Sequence, residues 1–190
     1  MNIVIFGPPG AGKGTQAKFI VEKYNLYQLS TGELLRNEIK NDSSLGKKIS
    51  SIIDKGNLVS DEIVANLIEK FISNNNYKNR FVFDGYPRNL SQAKKLDELL
   101  QKNSQKVDLA LKLSVSLDTI KQRIIERKAQ ENRSDDSEKI AVKRYQNYEN
   151  NIKPVIDFYK HSNLLRVVDG EGSIGKINDE ISALIEAIKG

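Results

Sequence analysis

The sequence predicts an α/β protein: a five-stranded parallel sheet covered by helices on both faces. Three observations predict it. Short, continuous apolar runs recur along the chain, longer stretches of helical period separate them, and the runs Ile3–Phe6 and Phe81–Phe83 end abruptly at Gly7 and at Asp84-Gly85. Continuous apolar runs are what strands buried on both faces require, and helices between them supply the crossovers of a parallel sheet. In such sheets ligands bind beyond the carboxyl ends of the strands, so chemistry is expected just after each run.

The elements follow in order. Ile3-Val4-Ile5-Phe6 is β-branched and apolar, a strand that stops at glycine. Ala17 to Tyr24 has helical period, and Tyr27-Gln28-Leu29 is a weaker strand candidate. Thr31 to Asp61 carries helical patterns without a convincing strand, with Ser30 or Thr31 as the first cap. Ile63 to Ile72 is helical, Phe81-Val82-Phe83 is a strand, and Leu90 to Leu100 is helical again. Leu109 to Leu113 and Leu164 to Val168 are two further strands; Phe158-Tyr159 falls on a late helix before the second of them, and Ile177 to Ile188 closes the pattern as a helix. Ala129 to Glu138 is almost wholly polar. That stretch reads either as an ordinary surface loop or, with Thr31 to Asp61, as material inserted over the ligand edge of the sheet.

Composition narrows the function. The chain has 190 residues, no cysteine, and a single histidine, His161. Disulfides, thiolate zinc sites and histidine clusters are therefore excluded, and His161 carries no functional signal. No apolar stretch nears the roughly 20 residues of a membrane span, and nothing resembles a signal peptide, so a soluble cytoplasmic protein is expected. The net charge of +5 suggests polyanionic partners such as nucleotides, although lysine-rich solvated faces account for much of it. A module that binds nucleic acid would need a continuous basic face or interleaved aromatics, and the aromatics here are scattered at core periods.

Gly7-Pro8-Pro9-Gly10-Ala11-Gly12-Lys13-Gly14-Thr15 follows the first strand and opens a helix. Glycines let a backbone wrap a phosphate with its N–H groups turned inward, the helix N-terminus adds a favourable dipole, and a lysine there meets the β- and γ-phosphates. This is a phosphate loop, and with the strand–helix alternation it predicts the three-layer sandwich of P-loop NTPases. The loop departs from the common pattern at one place: Gly14 stands where a hydroxyl normally follows the lysine and ligates magnesium. Magnesium held mainly by phosphates and water is expected instead.

From this loop, the run Leu29-Ser30-Thr31-Gly32-Glu33-Leu34-Leu35-Arg36, Gly56-Asn57-Leu58-Val59-Ser60-Asp61-Glu62, Phe83-Asp84-Gly85-Tyr86-Pro87-Arg88 and Val168-Asp169-Gly170, the chain resembles the nucleoside monophosphate kinases, and the adenylate kinase family in particular, over essentially its whole length. The resemblance implies reversible phosphoryl transfer from MgATP to AMP. It implies one kinase domain over 1–190, with a monophosphate-binding insert at 30–59 and a short lid at 126–136. ATP would be held by Gly10, Ala11, Gly12, Lys13, Gly14, Thr15, Arg123, Arg127 and Gly172. AMP would be held by Thr31, Arg36, Asn57, Leu58, Val59, Gly85, Tyr86, Pro87, Arg88, Gln92, Arg133 and Arg144. Lys13, Asp84, Arg88, Arg123, Arg133 and Arg144 would act in the transfer itself.

Residue chemistry agrees with these roles. A guanidinium is a planar two-pronged donor suited to phosphate, although a lone arginine such as Arg36 is ordinarily a surface residue. Asp84 suits a hydrated magnesium, or alternatively forms the turn before Gly85. Gln92 has an acceptor and a donor group and can read N1 and the N6 amine of adenine together. With Thr31 standing where pyrimidine-specific relatives tend to carry alanine, the resemblance implies AMP rather than UMP or CMP. Arg123 and Arg127 lie one helical turn apart and repel unless an anion, or Glu126 and Glu131, neutralises them. Glu33 keeps the charge of the aspartate usual in the family. Asn132 stands before Arg133 where relatives often have glycine, and Asp135 and Asp136 look like the lid's acidic pair. The lid is short and cysteine-free, so the zinc-bearing form is not expected. Partners beyond ATP, AMP and ADP are not expected: no nucleic acid, no membrane, and a monomer.

Overall fold

The computed structural model describes residues 1–55, 57–131 and 137–189, apart from the side chains of residues 75, 130 and 131. Five strands form one sheet: β1 (Ile3–Phe6), β2 (Tyr27–Ser30), β3 (Phe81–Asp84), β4 (Leu109–Ser114) and β5 (Leu165–Asp169). They lie in the order β2-β3-β1-β4-β5, and every neighbouring pair is parallel. The chain runs to one edge before β1 gains its second neighbour, so β1 sits centrally and the crevice at its carboxyl end is the switch point of the sheet.

The helices are α1 (Lys13–Tyr24), α2 (Thr31–Lys40), α3 (Ser44–Asp54), α4 (Asp61–Ile72), α5 (Leu90–Lys102), α6 (Leu117–Glu131), α7 (Glu138–His161) and α8 (Ile174–Lys189). Alternation along β1 explains the layers. Ile3 and Ile5 point into a core shared with Ala17 and Ile20 of α1 and Ile177, Ile181 and Ile185 of α8. Val4 and Phe6 point into the opposite core, with Ile68 of α4, Leu96 and Leu99 of α5, and Val155 and Tyr159 of α7. Both faces are therefore buried at the centre of the sheet, as the unbroken apolar runs of β1 and β3 require, whereas the edge strand β5 leaves Val167 exposed. A small separate cluster of Ile120, Ile124 and Ala141 joins α6 to α7.

Caps set several boundaries. Ser30, not Thr31, caps α2 by accepting from the Glu33 N–H at 3.4 Å. Ser43 caps α3, Asn89 caps α5 and Ser137 caps α7, each with its side-chain oxygen on an N–H three residues on. α7 contains Pro154, which has no N–H to give the Asn150 carbonyl. The residues expected as a lid, 126–136, comprise the end of α6 and a segment beyond the described residues.

Candidate active site

The loop after β1 is built as its glycines dictate. Gly10 has φ 88°, and a Cβ there would come within 3.1 Å of Ile124 and 3.2 Å of the Ile120 carbonyl. Only glycine takes that backbone without strain and lets α6 come so close. Gly12 is left-handed and precedes α1, whose first turn holds Lys13, Gly14 and Thr15. The Ala11 N–H is used within the loop, donating to the Pro8 carbonyl at 3.1 Å. Lys13 Nζ donates to the carbonyls of Gly7 at 2.8 Å and Pro8 at 3.0 Å. An ammonium has three donors, so one is left for a phosphate oxygen. Burial, with Arg88, Arg144 and Arg127 nearby, brings the Lys13 pKa down to about 8 against the opposing pull of Asp84.

A cavity opens beside this lysine. Gly32, Leu35 and Arg36 of α2, Ile53 of α3, and Asn57, Leu58 and Val59 form one wall. Gly85, Pro87 and Arg88 after β3 form another, and Arg144, Asn147, Tyr148 and Ile152 of α7 a third. The expected residues Lys13, Arg36, Asn57, Leu58, Val59, Gly85, Pro87, Arg88 and Arg144 are thus brought together around one space. Three arginines and a lysine about a concave site make it strongly attractive to an anion.

Other expected residues sit differently. Thr31 is buried and donates its hydroxyl to the Gly85 carbonyl at 3.0 Å, so it supports the wall from behind. Arg88 Nε donates to the same carbonyl at 2.6 Å. Gly85 has φ 79°, and a Cβ there would lie 2.9 Å from the Thr31 hydroxyl. Tyr86 belongs to the hydrophobic core and is not part of the cavity lining, although its neighbours Gly85 and Pro87 are. Gln92 is buried behind the Arg88 wall, with its amide held by the Arg88 N–H and by Asp61, each at 2.7 Å. Asp84 ends β3 beside the loop: its Oδ2 accepts from Gln28 Nε2 at 3.2 Å, and a Cβ on Gly14 would lie 3.9 Å from it.

The opposite side of the loop faces α6. Arg123 donates to the Ala11 carbonyl at 3.3 Å and the Gly170 carbonyl at 2.9 Å, tying the loop to the turn after β5 that carries Gly172. Arg127 lies one turn further along α6 and contributes to lowering the Lys13 pKa. The Ala11 and Gly170 carbonyls are thus partners of Arg123 besides the anion or acids expected for the pair. Glu171 anchors the same turn: it accepts from the Thr119 hydroxyl at 2.6 Å and the Ser116 N–H at 2.5 Å at the start of α6, which holds its carboxyl below the usual range. Arg133, Asp135 and Asp136 lie outside the described residues.

Sequence reasoning missed Asn147, Tyr148 and Ile152. They stand three, four and eight residues after Arg144, on one helical face, so the signal was present once Arg144 was placed. The Tyr148 hydroxyl is buried with no hydrogen-bond partner among the described residues, and burial raises its pKa. Lys143 Nζ donates to the Lys55 carbonyl at 3.0 Å, joining α7 to the end of α3.

Comparison with known proteins adds an independent line. A family model described as adenylate kinase matches residues 5–164. The chain is 40% identical over 212 residues to an adenylate kinase of Pelagibacter ubique, covering 98% of this chain and all of that protein. It is 40% identical over 186 residues to one of Flavobacterium psychrophilum, covering 97% and 98%. It is 36% identical over 216 residues to one of Archaeoglobus fulgidus, covering both chains in full.

Proposed function

Because this chain belongs to the adenylate kinase family, and so catalyses reversible phosphoryl transfer between ATP and AMP that keeps adenine nucleotides in balance, we propose how that chemistry is divided among the residues of the cleft. The observation that carries the proposal is the convergence of Arg36, Arg88 and Arg144 on a cavity that opens at Lys13. AMP takes this cavity, its phosphate among the arginines and its base toward Asn57, Leu58 and Val59, with Gln92 reading the adenine edge. ATP takes the loop, with its phosphates on the backbone of Gly10 to Thr15 and Lys13 and its remainder along Arg123, Arg127 and Gly172.

Transfer then needs little covalent help. The AMP phosphate oxygen is already anionic, so no general base is required, and positioning with charge neutralisation suffices. Lys13 lies between the two sites and keeps one donor for the transferring group. Arg88 and Arg144, with Arg133 from the lid, neutralise charge on the acceptor side, and Arg123 does so on the donor side. Residues 126–136 act as a lid and 30–59 as the monophosphate-binding insert of a single kinase domain, and both exclude water.

Magnesium fits the groups present. Asp84 offers one carboxylate beside the loop, suited to an ion that keeps most of its waters. When bound with ATP, the ion neutralises phosphate charge. We further propose that the protein works as a monomer on free nucleotides in the cytoplasm, without zinc, nucleic acid or membrane. No described helix is long and apolar enough to cross a membrane.

The test is ADP formation from ATP and magnesium with AMP, GMP, UMP or CMP in parallel. Strong dependence on AMP is expected. A preference for UMP or CMP would overturn the base reading, and ATP turnover independent of any acceptor would overturn the division of the cleft.

A further inference from the structure

Gln92 is 3% exposed, and its amide has two fixed partners. Its Nε2 donates to Asp61 Oδ1 at 2.7 Å, and its Oε1 accepts from the Arg88 N–H at 2.7 Å. A primary amide has two donor hydrogens and two acceptor lone pairs, so one of each is left. A carboxylate only accepts and a backbone N–H only donates, so both partners demand the same orientation. Asn89 braces the carboxylate: its Nδ2 donates to Oδ1 at 3.1 Å and Oδ2 at 3.0 Å, while its Oδ1 caps α5 through the Gln92 N–H at 2.8 Å.

Orientation matters because an amide turned over swaps its donor and acceptor at nearly constant shape. Adenine presents a donor at N6 and an acceptor at N1. A 6-oxopurine presents the reverse: an acceptor at O6 and a donor at N1–H. A glutamine fixed one way matches adenine, and the same glutamine turned over matches the 6-oxopurine. We infer that Asp61, on a different helix and 31 positions from Gln92, is a specificity-determining positioning residue that locks the Gln92 amide in the adenine-matching orientation. The inference rests on the proposed reading that Gln92 meets the base. Because the Arg88 N–H also favours that orientation, losing Asp61 weakens the lock without abolishing it.

The test is Asp61→Asn, which keeps the shape but puts an NH2 where a carboxylate oxygen faced Asn89 or Gln92. The readout is kcat/KM for AMP divided by that for inosine monophosphate, with the KM for ATP measured alongside. D61N is expected to lower this ratio about tenfold, the scale of losing one charge-assisted hydrogen bond, with the ATP KM unchanged. Asp61→Ala leaves no acceptor facing Gln92 Nε2; it is expected to lower the ratio at least as far and decides the case where the amide oxygen introduced by D61N stays on Gln92 or D61N does not fold. Asn2→Ala is the structural control: Asn2 is buried at the amino end of the sheet, its amide bonded to the Lys106 carbonyl and the Phe81 N–H, so its loss is expected to lower the melting temperature while holding the ratio within about twofold. Gln92→Ala separates the two levels of argument. If Q92A collapses the ratio and Asp61→Ala does not, Asp61 has no orienting role and the inference fails. If Q92A also leaves it unchanged, the reading of Gln92 fails first and takes the inference with it.

Discussion

On the side of the cleft assigned to AMP, side chains hold one another. Thr31 and Arg88 meet at the Gly85 carbonyl, and Asp61, Asn89 and Gln92 form a chain that ends on the Arg88 N–H. On the side assigned to ATP, the backbone prevails: a glycine loop, a helix N-terminus, and Arg123 on the carbonyls of Ala11 and Gly170. Main-chain groups read phosphate and are indifferent to the base, whereas fixed side-chain donors and acceptors discriminate between bases. The difference teaches where selectivity belongs: narrow for the acceptor, broad for the donor.

The comparison can be broken at its centre first. Lys13→Ala removes the charge shared by both sides and is expected to lower kcat about 1,000-fold, the upper range for losing one transition-state donor, with an unchanged far-ultraviolet circular dichroism spectrum. Near-normal turnover would mean that the loop lysine is not the common element. The two halves separate next. Arg88→Ala should lower kcat/KM for AMP about 100-fold through lost charge-assisted bonds, while the KM for ATP, measured at saturating AMP, stays put. Exchange of the bases sharpens the contrast further. Replacing AMP by GMP should cost more than about 100-fold in kcat/KM, and replacing ATP by GTP less than about tenfold. Equal penalties would erase the distinction.

The smallest effect concerns pH. The Lys13 pKa is lowered to about 8 in the folded protein, so its charge is lost as pH rises through that value. The dissociation constant for ATP should therefore rise roughly fivefold between pH 8 and 9, as expected when one proton is required for binding. Stability moves the other way. Between about 8 and the ordinary lysine value the unfolded chain binds more protons than the folded one, so unfolding becomes less favourable as pH rises. Calorimetric titration and thermal melts over that range check the two signs.

The donor half was the more legible in the sequence. Its loop, strand and helix start are contiguous, so Ile3–Phe6 and Gly7–Thr15 announce both geometry and ligand. The acceptor half is assembled from distant segments. Arg36 and Arg88 were found through the resemblance of their motifs. The partnership of Asp61 with Gln92 joins two helices whose spacing says nothing about contact, and Tyr148 was one polar position among many on α7. Edge strand β2 read weakly because Tyr27 and Gln28 are only half-buried and carry little of an apolar run. Tyr86 read as a site residue because its motif is, yet its side chain is core. Burial is a property of the assembled layers, which local pattern does not contain.

Pro154 gives the long helix α7 an uneven stiffness. The helix turn that ends at Pro154 lacks a rung, so it bends more readily there than elsewhere along its 24 residues. Arg144, Asn147 and Tyr148 lie before that seam, while Val155 and Tyr159 are clamped against the sheet after it. The helix is thus a lever with its fulcrum at residues 150–154. Tilting of the cavity end toward a bound nucleotide is therefore expected to be taken up as curvature at that seam.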